Sequence, residues 1–186
     1  MKYFAYSSQK KFLNNLKKLI LNGNTIGPKG VEWLSKAAKF MVNLTGLGLP
    51  GVEIGTKAEC LTRFSSIKAL DLRENRLSPE DIRILSESDE FVSKIEVFYL
   101  KGNNISLGVR YLKKFTNLQI LDLRRTGIDI EGLETLSYVV ESMPDLKEIY
   151  LGDNDIDQEG IQQYLPKFGD IKLDLKSKVN EYYWLE

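Results

Sequence analysis

The chain has 186 residues, of which 42% are hydrophobic and 28% are charged, and its 26 basic residues balance 26 acidic ones. A balanced charge gives no bulk field that would draw the chain to nucleic acid or to a membrane surface, so we expect neither as a partner. The sequence contains no His, which excludes catalytic triads and metal sites that depend on imidazole.

One pattern of apolar residues recurs six times along the chain. The clearest copy places apolar residues and one Asn at Ile67, Leu70, Leu72, Asn75 and Leu77. The other copies begin at residues 16, 44, 95, 118 and 146, so spacings of 28 and 23 residues alternate and give a period of 51. Alternation of apolar residues predicts a short strand with one buried face in each copy. A unit this small cannot bury its own apolar edge, so the copies must stack on one another.

At these positions the chain resembles the leucine-rich repeat family, whose signature is L-x-x-L-x-L-x-x-N-x-L. The resemblance covers about residues 12 to 180, and long units such as Ile26-Gly27-Pro28-Lys29-Gly30 look like the ribonuclease-inhibitor subclass. It implies an α/β fold, a right-handed solenoid that forms a fragment of a horseshoe. A parallel sheet would line the concave side and helices the convex side, with long and short repeats alternating.

The predicted elements follow in chain order within a single domain. Residues 1–15 are expected to form an N-terminal cap or a partial repeat, residues 16–169 the six repeats, and residues 170–186 a final strand and a C-terminal cap. The strands are predicted to centre near Ile20, Gly48, Asp71, Tyr99, Asp122, Tyr150 and Asp174. Helices are predicted near 28–41, 79–91, 131–143 and 158–165, with a shorter helical or irregular segment at 106–115.

Several single positions carry separate expectations. Trp33 falls beside the apolar stripe of the first helix and is expected to be partly buried. The aromatic tail around Trp184 either caps the last repeat or offers an exposed patch to a partner. The Asn positions hold Asn24, Val52, Asn75, Asn103, Thr126 and Asn154, and the four Asn side chains are expected to be buried and bonded to backbone.

The sequence offers little for catalysis or for a metal. Cys60 is the only cysteine, which excludes an internal disulfide and fits a reducing compartment, and its apolar surroundings favour a buried small side chain over a nucleophile. Residues 152–160 imitate the start of an EF-hand loop, but Gln158 and Tyr164 stand where that loop requires Gly and Glu. We therefore predict no enzyme activity, no cofactor and no metal.

A partner-binding face follows from the pleat of the predicted strands. In the pattern x-L-x-L-x the Leu residues point inward, so the residues between and beside them should project from the concave surface. The predicted partner-binding residues are Asp71, Arg73, Tyr99, Lys101, Asp122, Arg124, Glu148 and Tyr150. The alternative is a solvated face on which Asp–Arg pairs only keep the sheet soluble. In the second repeat, Gly46, Gly48 and Pro50 present almost no side chain, which marks either a plain weak strand or a gap for a partner's backbone.

The leading hypothesis is a non-enzymatic, monomeric module that binds a partner protein through its concave face. One alternative is a regulator of another enzyme, because one branch of the subclass resembles activators of small GTPases. Another is a bacterial effector that acts on host proteins. No apolar run of 18 residues and no apolar signal core are present, so we expect a cytoplasmic location, or the host cytosol for a secreted effector.

Overall fold

The computed structural model describes residues 12–176, which form a repeating stack of strands and helical segments. The strands pair side by side in chain order and in parallel, within one seven-stranded sheet. They are β1 (Lys18–Ile20), β2 (Gly46–Gly48), β3 (Ala69–Asp71), β4 (Val97–Tyr99), β5 (Ile120–Asp122), β6 (Glu148–Tyr150) and β7 (Lys172–Asp174). The central residue of each strand lies within one residue of the predicted centre. The prediction of an α/β leucine-rich-repeat solenoid is therefore confirmed.

Helical segments connect the strands along the convex side. Besides the helical residues 12–15, the part of the chain that the structure describes has the α-helices α1 (Gly27–Ala37), α2 (Pro79–Ser86), α3 (Asp89–Val92), α4 (Ile130–Val139) and α5 (Gln158–Tyr164). The 3₁₀ segments are Ala38–Phe40, Ala58–Arg63, Ser106–Lys114, Val140–Ser142 and Leu165–Phe168. The second and fourth repeats carry only 3₁₀ helix, so the predicted alternation of long and short repeats is confirmed.

Local sequence explains where α2 and α4 begin, whereas the helix ends differ from the prediction. Ser78 precedes α2, and the Asp81 carboxylate accepts hydrogen bonds from the Ser78 backbone N–H (2.8 Å) and hydroxyl (2.6 Å). Asp129 caps α4 by accepting from the N–H of Gly132 at 2.9 Å. The predicted helix at 79–91 is instead two helices, α2 and α3, and the helices predicted to end near 41 and 143 finish as the 3₁₀ segments Ala38–Phe40 and Val140–Ser142. The last turns tighten where the chain bends back toward the sheet.

A single apolar core runs between the sheet and the helical layer. In the four interior repeats all the apolar pattern positions are buried, and Phe98 packs against Phe115 with ring centroids 5.3 Å apart. Cys60 is buried in this core, as predicted. Within residues 12–176, no helix is long and apolar enough to cross a membrane.

The Asn positions form a ladder along the turns that follow the strands. Asn103 is completely buried: its Oδ1 accepts from the N–H groups of Asn75 (3.0 Å) and Leu77 (2.9 Å), and its Nδ2 donates to the carbonyls of Leu72 (3.0 Å) and Leu100 (2.7 Å). Each interior Asn thus ties its own turn to the turn of the preceding repeat.

The ladder is complete only in the interior of the stack. Asn75 is buried and Asn154 is half-buried, and the amide of each reaches a carbonyl of the preceding repeat. The prediction of burial is wrong for Asn24, which is exposed and bonds only to the Leu21 and Asn22 carbonyls of its own turn. Thr126, by contrast, is buried, and its hydroxyl donates to the Leu123 carbonyl at 2.6 Å.

The expectation for Trp33 is also wrong. The side chain is 70% exposed on α1, with the Lys36 ammonium 4.6 Å from its ring centroid. Val31 and Ser35 occupy the buried side of the helix instead, and Trp33 lies just outside that stripe. The predicted roles of the tail around Trp184 lie outside the described residues, as does most of the predicted cap at 1–15.

Candidate functional site

Two identical Asp–Arg pairs stand on the concave face, which we define as the outward face of the sheet opposite the helices. Asp71 accepts from Arg73 Nε (2.9 Å) and Nη2 (2.7 Å), and Asp122 accepts from Arg124 Nε (2.8 Å) and Nη2 (2.6 Å). Both carboxylates also accept from the backbone N–H of their own Arg at 3.1 Å. Residues two apart on a strand share a face, so each Asp-Leu-Arg segment closes its own bidentate ion pair.

Tyrosines stand between and beside these pairs. The strand register aligns Asp71 with Tyr99, Tyr99 with Asp122 and Asp122 with Tyr150. The Arg73 guanidinium lies 5.7 Å from the centroid of the Tyr99 ring, and Arg124 lies 5.6 Å from that of Tyr150. The arrangement therefore repeats after two repeats, in step with the 51-residue period, and we call these six residues the Asp–Arg–Tyr array.

The array continues toward the last strand through Glu148. The Tyr150 hydroxyl donates to the Glu148 carboxylate, which also forms an ion pair with Lys172 at 3.1 Å. The hydrogen bond from Tyr150, together with the bond and charge of Lys172, lowers the pKa of Glu148. Glu148 is therefore ionised at neutral pH and holds the Tyr150 ring in place.

Burial changes the acidity of both phenols. Burial first, and then the negative charges of Asp122 and Asp71, raise the pKa of Tyr99 to about 12. Burial and the Glu148 carboxylate likewise raise the pKa of Tyr150. Both hydroxyls stay protonated at physiological pH, and that of Tyr150 donates a hydrogen bond to Glu148.

The raised pKa of Tyr99 makes stability depend on pH in the alkaline range. An unfolded tyrosine ionises near pH 10, so the stabilisation from keeping Tyr99 protonated is fully present below about pH 10 and is lost as the pH rises toward about 12. We expect Tyr99→Phe to lose less stability than the parent between these pH values, as measured by chemical denaturation. Ultraviolet difference titration should show that the variant lacks one phenol with a midpoint near pH 12. If the phenol transition that Tyr99→Phe removes lies near pH 10 and not near pH 12, the raised pKa does not belong to Tyr99.

The predicted exposure of the binding residues is wrong for six of the eight. All six members of the array point to the concave face but are buried, because each side chain lies against its neighbours in register about 4.8 Å away. Lys101 and Glu148 are half-buried. The array is thus a tightly packed layer on the sheet, and no described contact tests whether its members bind a partner.

Sequence reasoning missed a column of apolar residues on the same face. Ala69 pairs in register with Val97, and Val97 pairs with Ile120. All three are half-buried, although the adjacent residues Leu70, Phe98 and Leu121 are fully buried on the opposite face. They occupy the first x of the pattern x-L-x-L-x, so the pleat alone already places them on this face. We call Ala69, Val97 and Ile120 the apolar column.

The turn after β2 in the second repeat forms part of a cleft. Gly46 and Gly48 carry no side chain, and Pro50 follows β2. A cleft of about 270 Å³ opens at the ends of the first four strands. Its walls are Asn22, Gly23, Pro50, Gly51, Arg73, Glu74 and Lys101. Gly46 and Gly48 are buried and do not line this cleft, so both interpretations of the second repeat stay predictions.

The described residues do not assemble a metal site. No group of three or more Asp, Glu or Cys side chains with metal-binding geometry occurs among residues 12–176. The EF-hand-like acids serve the local fold instead: Asp157 caps α5 by accepting from the Gly160 N–H at 2.6 Å. The Asp71–Arg73 and Asp122–Arg124 pairs are each closed within one repeat, whereas Glu148 and Lys172 pair across neighbouring strands.

Comparison with known proteins agrees with this architecture. A family model described as Leucine Rich repeat matches residues 12–35 and 116–137. No curated protein sequence matches the chain, whereas 120 chains of solved structures do. One of them is an internalin from Listeria monocytogenes, which is 17% identical with a TM-score of 0.49. The match covers 90% of this chain but only 63% of the internalin chain.

These matches do not assign a subclass, so the likeness to ribonuclease inhibitor stays a prediction. Leucine-rich repeat domains generally mediate protein–protein interaction. This chain therefore has a leucine-rich repeat fold, with six pattern copies, one parallel strand per repeat and a buried Asn ladder, and the family model matches two of its segments.

Proposed function

We propose that this chain is a non-enzymatic interaction module whose concave face binds a partner protein. The observation that carries the proposal is the apolar column, which is left half-buried beside a packed layer of Tyr and Arg side chains. Apolar and aromatic side chains set in a rigid polar surround are the usual composition of an interface centre.

The array supports binding by lowering its entropic cost. The side chains of Arg73 and Arg124 are already fixed by bidentate bonds, and the two Tyr rings are packed against them. Side chains that are ordered before binding lose little rotamer freedom when a partner arrives. Among the eight predicted binding residues, the half-buried Lys101 and Glu148 would meet the partner most directly, and the array would support them.

Photo-cross-linking from the concave face tests this function. A benzophenone amino acid placed at Val97 should cross-link to a specific protein in cell lysate, and the same amino acid at Tyr138 should not. Tyr138 is the matched control because it is 54% exposed on the convex helix α4. The cross-linked protein should be lost when Ile120→Glu is added, while the thermal unfolding curve stays close to that of the parent. Cross-linking from position 138 alone would contradict a concave binding face.

A further inference from the structure

The first repeat, residues 16–43, lacks the side-chain tie that links most of the other repeats to their neighbours. Asn103 provides this tie in the fourth repeat: it accepts from two backbone N–H groups of the third repeat and donates to one of its carbonyls. Val52 stands at the equivalent position of the second repeat, and an aliphatic side chain can form none of these hydrogen bonds. The contact between the first and second repeats, which we call the first joint, therefore has no side-chain bond of the Asn ladder.

The turn of the first repeat closes on itself instead. The Ile26 N–H donates to the carbonyl of Asn24, in the same turn, at 3.0 Å. The equivalent N–H in the third repeat, that of Leu77, donates to Asn103 of the following repeat at 2.9 Å. The turn around Asn24 is thus satisfied without a side chain of the second repeat.

The two strands at the first joint also share no side-chain pair on the concave face. The register aligns Lys18 with Gly46 and Ile20 with Gly48, so β2 has no side chain on this face to pack against β1. Cross-strand side-chain pairs are a main source of stability between neighbouring strands, so their absence weakens the first joint.

Other joints lack one of these two features but not both. Thr126 replaces the Asn in the fifth repeat, yet there Tyr99 and Asp122 are buried side by side in register. The Gly-rich strand β2 also faces β3, yet there Asn75 donates to the Leu49 carbonyl of the second repeat at 2.6 Å. Of the joints between the first and sixth repeats, all of which the structure describes, only the first lacks both the Asn and the cross-strand side chains.

What remains at the first joint is mainly backbone pairing. Leu16, Leu19, Leu21 and Ile26, the apolar pattern residues of the first repeat, are half-buried, whereas those of the interior repeats are buried. Besides the β1–β2 pairing, the hydrogen bonds across the joint run from the N–H groups of Leu21 to Gly48 (2.8 Å), Thr45 to Lys17 (2.8 Å), Gly46 to Lys17 (3.0 Å) and Gly27 to Val52 (2.9 Å), and from the hydroxyls of Thr45 to Lys17 (3.2 Å) and Ser66 to Val42 (2.6 Å). Separation of this repeat therefore costs less free energy than separation of an interior repeat.

We infer that the first repeat opens as a cooperative unit while the sheet from β2 onward stays folded. In a stack of repeats, the units that open together are bounded by the weakest contacts between neighbours, and the first joint is the weakest of those compared. Opening removes β1 from the sheet and frees the backbone groups of β2 that pair with it. The apolar column lies on β3 to β5, so this inference and the proposed function are tested by different results.

Hydrogen exchange in the full chain tests the inference at two equivalent amides. The Leu21 N–H donates to the Gly48 carbonyl and the Leu123 N–H to the Tyr150 carbonyl, each at 2.8 Å, so bond length does not distinguish them. We expect Leu21 to exchange about tenfold or more faster than Leu123, together with the other amides of the first repeat. Asn103→Ala should speed the exchange of Leu123 about tenfold and leave that of Leu21 unchanged, because the first repeat opens without breaking the bonds of Asn103. Equal acceleration at both amides would show that the chain opens only as a whole, which overturns the inference.

A second pair of variants tests the role of the missing Asn. Val52→Asn should slow the exchange of Leu21 about tenfold, because an Asn at this position can bond the turn of the first repeat as Asn103 bonds that of the third. Val52→Thr is the matched control and should not slow it, since the Thr126 hydroxyl, at the equivalent position, donates to the Leu123 carbonyl of its own repeat. Exchange slowed equally by both variants, or by neither, would overturn the assignment of this opening to the missing Asn.

Discussion

Asp122→Ala is expected to lower the free energy of unfolding by about 3–5 kcal/mol, because it leaves the buried Arg124 guanidinium without its carboxylate. Asp122 is completely buried and accepts two side-chain bonds and one backbone bond. Asp71→Ala should have a similar effect, since Asp71 makes the same three bonds one 51-residue period earlier. Denaturant unfolding of each variant measures the loss.

Two further variants serve as controls for the loss of the buried Asp122–Arg124 ion pair. Glu96→Ala breaks the Lys68–Glu96 pair, whose side chains are 57% and 34% exposed, and should cost no more than about 1 kcal/mol. Replacing both partners, with Asp122→Leu and Arg124→Met, should be milder than Asp122→Ala alone because no buried charge remains. A double variant less stable than the single one would show that the ion pair itself stabilises the sheet.

Asn103→Ala is expected to lower the free energy of unfolding by about 1–3 kcal/mol. The change leaves the N–H groups of Asn75 and Leu77 and the carbonyl of Leu100 without this partner inside the turn. Asn24→Ala is the matched control because Asn24 is exposed and bonds only within its own turn, so we expect a change within about 0.5 kcal/mol. Equal losses for the two variants would mean that the ladder does not tie the repeats together.

The strands and core were predictable because their signal is local. Leu70, Phe98 and Leu121 alternate with outward residues, and the same alternation recurs in every copy, so their burial follows from the period of a strand. Helix starts were predictable for a similar reason, since Ser78 and Pro79 carry their own capping chemistry. The helix ends depend on how the chain returns to the sheet. The helices predicted to end near 41 and 143 finish in 3₁₀ segments, and the helix predicted at 79–91 is broken between Ser86 and Asp89.

The candidate site was predicted only in part, because burial on the concave face depends on neighbouring strands. The pleat correctly assigns Tyr99 and Asp122 to that face, but only their packing against Arg73 and Arg124 shows that they are buried. The apolar column was missed because polar residues attracted the functional interpretation. Asn24 was misjudged for a related reason. Asn24 and Asn103 hold the same position in the pattern, but Asn103 is buried by contact with the preceding repeat and Asn24 is exposed.

The affinity of the cross-linked partner protein for variants of this chain tests the central claim most directly. Ile120→Glu alters the apolar column at a position that carries no cross-linker, and Tyr138→Glu places the same charge on the convex helix α4. Calorimetric titration should show that Ile120→Glu raises the Kd about tenfold or more, a loss of about 1.4 kcal/mol, and that Tyr138→Glu leaves it unchanged. The opposite result, with the Kd raised by Tyr138→Glu and unaffected by Ile120→Glu, would contradict binding through the concave face.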